Sequence, residues 1–196
     1  MSELNRVFYH ELGHFVAHEL NRIYYAWLGT KSISIFPFPE NPELYLGEAK
    51  MNLSPDERGK KAPSLGQLPM YLASSSYGCI FQSYYMKTEL KKCFDLNGED
   101  DIQKWIGALF ANGLDWLNSD IAACEREYFD LLSNNKELDV FMQLNSSDYL
   151  LESADKIYSV DIAKLRSDTS AFVEKHYSHY NSLIEKISQI IDGNVV

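Results

Sequence analysis

The chain has 196 residues, 45% hydrophobic and 13% aromatic, which suits one domain (residues 1–196) with a substantial core and argues against disorder. A formal net charge of −10, with only 18 lysines and arginines, argues against a nucleic-acid partner, because phosphate binding needs a basic surface. Three widely spaced cysteines, Cys79, Cys93 and Cys124, fit neither a disulfide framework nor a paired-thiolate metal site and read as buried thiols of a reducing compartment.

In chain order, apolar residues from Leu4 to Trp27 recur every three or four positions, so an amphipathic helix is expected over about 3–28, with Ser2 as its cap and Gly29 as its left-handed end. Lys31 to Phe36 alternates β-favouring residues, and a second extended run covers Leu44 to Met51. With Pro37, Pro39 and Pro42 between them, they read as a hairpin or small sheet edge. Ser54 to Gly66 reads as an exposed loop. The rest is expected to be helical: 68–92, 100–117, 119–132, 137–149 and a long last helix over 162–191. The aromatic runs Tyr24-Tyr25-Ala26-Trp27 and Tyr84-Tyr85-Met86 read as core at this spacing. The expected fold is therefore mainly α, a single zincin-like helical domain with a small β-hairpin or sheet after the first helix.

The chemistry is concentrated in His10-Glu11-Leu12-Gly13-His14. Residues four apart on a helix project from one face, so His10 and His14 can close on a single metal ion. Glu11 stands at the edge of that ion, where a general base takes a proton from activated water. Gly13 lets another backbone or a substrate come close. His18 lies a further turn along, too far to share the ion, and reads as a supporting or packing residue. A third ligand must come from elsewhere. Spacing does not choose it, and the carboxylates that open helices, Glu89, Glu99, Asp100, Asp101 and Asp115, are the candidates.

The run Val7 to Val16 resembles the metal-binding helix of the peptidase domain in FtsH-type ATP-dependent zinc metalloproteases. The likeness continues in order through Ser32 to Pro37, Leu46-Gly47-Glu48, Gly98 to Gln103 and the last helix from Asp168. The resemblance implies Zn2+ held by His10, His14 and Asp101, with Asp100 as the alternative third ligand and Glu11 as the catalytic base. One stretch departs from the family pattern: Gly78-Cys79-Ile80-Phe81-Gln82-Ser83 has neither the arginine nor the two acids found there.

A free-standing domain is implied, since neither an ATPase module nor a membrane anchor fits ahead of His10, and no phosphate-cradling Gly-rich motif occurs. The expected activity is zinc-dependent hydrolysis of peptides or unfolded protein segments, with strand 32–36 offering its edge to an extended chain. The rival expectation is a non-catalytic binding or regulatory module with a vestigial or structural metal site. No secretory signal or bilayer-length apolar run is present, so a cytoplasmic protein is expected; a homo-oligomer stays open.

Overall fold

A computed structural model describes residues 2–52, 63–97, 99–114, 118–133, 144, 146–152 and 156–195, with the side chains of 96–100, 118 and 152 outside that description. Its first element, α1 (Glu3–Tyr24), starts where Ser2 Oγ accepts the Asn5 amide, and fifteen of its residues are buried. It ends four residues earlier than expected. The left-handed residue is Ala26 (φ 52°) rather than Gly29, and the Trp27 amide turns back to the Asn21 carbonyl at 3.1 Å. A Cβ on Gly29 would meet Arg22 Cδ at 2.6 Å, on a long and partly exposed side chain.

The hairpin forms as β1 (Thr30–Phe38) and β2 (Asn41–Met51), paired antiparallel with Ile35 opposite Gly47. Both strands outrun the expected ones, since Pro37 remains in the ladder opposite Tyr45 and a register irregularity follows it. A short 3-10 turn, Leu65–Gln67, then leads into α2 (Leu68–Met86). The single helix expected over 68–92 is two. Lys87 adopts a left-handed conformation (φ 54°), Ser83 Oγ bonds the Thr88 carbonyl at 2.6 Å, and α3 (Leu90–Asn97) starts afresh.

Next come α4 (Glu99–Ala111) and α5 (Asn118–Ser133). The first stops short of the expected 117 in a Schellman turn: Gly113 is left-handed (φ 72°), and the amides of Gly113 and Leu114 bond the carbonyls of Phe110 and Leu109. Most of the helix expected over 137–149 lies outside the described residues. What is described there is a 3-10 turn, Ser146–Asp148, followed by strand rather than helix. The strands β3 (Leu150–Glu152) and β4 (Tyr158–Val160) were not expected; each has three residues, too few for an alternating pattern to register. The long last helix, α6 (Ile162–Asp192), is capped by the Asp161 side chain on the Lys164 amide.

The result is mainly α with one antiparallel four-stranded sheet in the order β2-β1-β4-β3. β1 is therefore an inner strand, paired with β2 along its length and with β4 at Ser34 and Ile35. This corrects the expectation that 32–36 offers an edge; the open edge next to α1 belongs to β2. Phe8, Leu12, Phe15 and Leu20 of α1 and Leu72, Tyr77, Ile80 and Phe81 of α2 are fully buried in one core, joined from α6 by Tyr180, Leu183 and Ile187. Among the described residues no helix is long and apolar enough to cross a membrane.

The backbones of α1 and α2 come close together at Gly13. A Cβ added there would stand 2.2 Å from the Tyr77 carbonyl oxygen and 3.0 Å from Gly78 Cα, so only glycine lets the helices sit this close. Alanine at this position gains helix propensity but forces the two backbones apart. Gly13→Ala should lower stability by about 1–3 kcal/mol in a urea unfolding titration; an unchanged or raised midpoint would contradict this packing.

Candidate metal centre

His10 and His14 lie one turn apart on the buried side of α1, their rings 4.8 Å apart and nearly perpendicular. Asp101 comes from the first turn of α4, where the helix dipole favours an ionised carboxylate. The three side chains converge. His10 Nε2 and His14 Nε2 are 3.2 Å apart, and Asp101 Oδ2 is 2.9 Å from the first and 3.0 Å from the second. Among the described residues these three form the only group of three or more His, Cys, Asp or Glu side chains whose ligand atoms lie within 4.8 Å of one another.

The opposite nitrogen of each ring decides what faces the meeting point. His14 Nδ1 is 2.8 Å from the Ser74 carbonyl oxygen, which can only accept, so His14 carries a hydrogen on Nδ1. His10 Nδ1 donates to Gln82 Oε1 at 2.9 Å, while the Gln82 amide nitrogen lies against Met86 Sδ. With both hydrogens on Nδ1, two nitrogen lone pairs and a carboxylate oxygen point at one another across about 3 Å. Three electron-rich atoms in a buried site repel unless a proton or a cation stands between them.

The donor set fits a metal. Ligands of a tetrahedral ion at about 2.0–2.1 Å stand roughly 3.3 Å apart, slightly wider than the separations here. Two imidazoles and one carboxylate suit a small divalent transition-metal ion better than calcium or magnesium, which prefer all-oxygen shells.

The surroundings hold the donors in place. A Cβ on Gly78 would stand 2.4 Å from His14 Nε2 and 2.7 Å from His10 Nε2, so the α2 backbone forms the floor of the centre. Lys104 Nζ lies 3.6 Å from Asp101 Oδ1, one turn along α4, leaving Oδ2 for the histidines. Glu11 is 4% exposed, and its carboxylate rests against Gly47 of β2, where a Cβ would meet Oε1 at 2.3 Å. Burial raises the Glu11 pKa, with His14 and His10 pulling it back.

His10, Glu11, His14 and Asp101 all line a cleft of ≈ 1270 Å³ that runs between α1, β2 and the start of α4. His18 also lines it, but its Nδ1 bonds Thr30 Oγ1 at 3.1 Å, and burial lowers its pKa to about 3. It is a neutral wall residue outside the three-donor group. Glu89 is exposed and does not take part. Asp115 and the side chains of Glu99 and Asp100 lie outside the described residues.

Sequence reasoning missed Gln82 and Ser74 as the acceptors that orient the rings. It also missed Gly78 as the floor and Gly47 as the seat of Glu11. Only the glycines carried any signal, as helix and strand positions with an otherwise unexplained propensity cost. No family model, no curated protein and no solved structure matches the chain.

Without a metal, a proton takes the shared position. Burial alone would lower the His14 pKa, but the charge and hydrogen bond of Asp101 outweigh it and raise it to about 9. The His14 charge in turn holds the Asp101 carboxyl far below its usual range despite burial. Uptake of a divalent metal at pH 7.5 should therefore expel about one proton, seen as a dependence of calorimetric heat on buffer ionisation enthalpy. The His14 contribution to metal-free stability is complete below its unfolded pKa near 6.5 and is lost as pH rises through about 9. The thermal midpoint of the metal-free protein should accordingly fall across that window; a flat profile would speak against the pair.

Proposed function

We propose that this protein is a zinc-dependent metallopeptidase acting on flexible peptides or unfolded protein segments. The observation that carries the reading is the convergence of His10 Nε2, His14 Nε2 and Asp101 Oδ2 on one point, with Glu11 beside them and a cleft open to all four. Two histidines and one carboxylate match the protein ligand set of catalytic zinc sites, which keep a further position for water or substrate. The likeness of the His10 to His14 run to FtsH-type peptidases supports the same reading at the level of the motif.

His10, His14 and Asp101 would hold the ion. Zinc bound there supplies a Lewis acid that makes water acidic enough to ionise near neutral pH and polarises a carbonyl. Glu11 accepts the proton of the attacking water and delivers it to the amine nitrogen as the peptide bond breaks. Its burial suits the task, because a carboxylate with a raised pKa holds the proton more readily between the two transfers. Gly47 gives that carboxylate room against β2.

The open edge of β2 forms one wall of the cleft, with Leu44, Tyr45 and Leu46 lining it. An extended peptide laid along this edge gains main-chain hydrogen bonds and carries its scissile bond past Glu11. The three cysteines are all buried and unpaired, which fits a cytoplasmic protein.

Glu11→Gln should keep zinc bound and reduce cleavage of an unstructured protein such as casein by about 10²–10⁴-fold. His14→Ala should lose both metal and activity. Full activity in Glu11→Gln, or in protein stripped by a chelator, would overturn the assignment.

A further inference from the structure

The groups that aim the two imidazoles are both uncharged. His14 is held by a backbone carbonyl of α2, and that acceptor cannot be altered by changing a side chain. His10 is held by Gln82, which is fully buried one helical layer behind it. Among the described residues, Asp101 is thus the one carboxylate hydrogen-bonded to either ring.

The orientation of the Gln82 amide decides the state of His10. As it stands, Oε1 faces His10 Nδ1 at 2.9 Å, and Nε2 faces the weakly accepting thioether of Met86 at 3.6 Å. The reverse orientation sets the carbonyl oxygen against sulfur and offers His10 Nδ1 a donor. The ring would then carry its hydrogen on Nε2, directed at Asp101, with no lone pair left for a cation. Between the two orientations, only the observed one leaves all three donors able to bind a metal.

We infer that Gln82 is a positioning residue for the metal centre: its amide oxygen fixes the His10 tautomer that presents Nε2 to the ion, and its neutrality keeps that imidazole a weaker donor than a carboxylate partner would. This rests on the metal-binding reading above but not on catalysis. A carboxylate behind a metal-ligating imidazole increases its basicity, and loss of such a partner commonly costs about 10–100-fold in metal affinity. The structure therefore gives a direction for each replacement. Gln82→Met removes the acceptor while nearly keeping the shape, and Gln82→Glu keeps the acceptor and adds charge.

The test is zinc affinity, measured by competition with a chromophoric chelator, in wild type, Gln82→Met and Gln82→Glu. Binding should weaken by about 10–100-fold in Gln82→Met and return to wild-type strength or beyond in Gln82→Glu. Long-range ¹H–¹⁵N spectra of the zinc-loaded proteins give a second readout. The His10 Nδ1–H signal should lose its exchange protection in Gln82→Met, while that of His14, held by Ser74, stays unchanged as an internal control. Equal affinity and unchanged His10 protection in Gln82→Met would overturn the role of Gln82 alone. A wild-type protein that binds no zinc would remove the metal reading together with this inference.

Discussion

Two imidazole nitrogens and a carboxylate oxygen held about 3 Å apart in a buried site form an arrangement that folding does not reward by itself. Their mutual repulsion has to be offset by a positive charge between them, whether a proton shared with Asp101 or a metal ion. Both ring orientations are fixed from behind by acceptors on α2, so the repulsion cannot be relieved by simply turning the rings over. The contact between α1 and α2 and the placement of α4 both bear on this one point.

Glycine makes the arrangement sterically feasible at three places. Gly13 lets α2 approach α1 closely enough for the α2 backbone to reach the histidines, and Gly78 supplies the floor where any side chain would occupy the site. Gly47 then lets β2 lie directly over Glu11. Each costs conformational entropy, and Gly13 and Gly78 also cost helix propensity. The compensation comes from packing: aromatic and aliphatic side chains of α1, α2 and α6 fill a single core around the same helix pair. The candidate metal centre and the core thus share one interface, so a small change there disturbs both.

The parts legible in the sequence were those written in local periodicity. The 3.6-residue pattern located α1 and α6 well, and the i, i+4 histidines marked the place on α1 where Asp101 converges on them. The hairpin was visible through alternation between prolines. What escaped was set by tertiary contact. The break at Lys87 puts a left-handed conformation on a residue with no preference for it, and β3 and β4 are too short to alternate. The inner position of β1 depends on β4, which arrives more than a hundred residues later. Asp101 was singled out from its acidic neighbours by resemblance rather than by spacing, and no local rule links residue 82 to residue 10.

The point shared by the two imidazoles and Asp101 is where a metal ion is expected. A crystal structure with diffraction recorded on both sides of the zinc absorption edge tests it most directly. One anomalous peak is expected, bonded to His10 Nε2, His14 Nε2 and Asp101 Oδ2, with a further coordination position open to the cleft. No peak at that point in crystals grown with zinc would contradict metal binding, and a peak closed by a fourth protein ligand would contradict the catalytic reading.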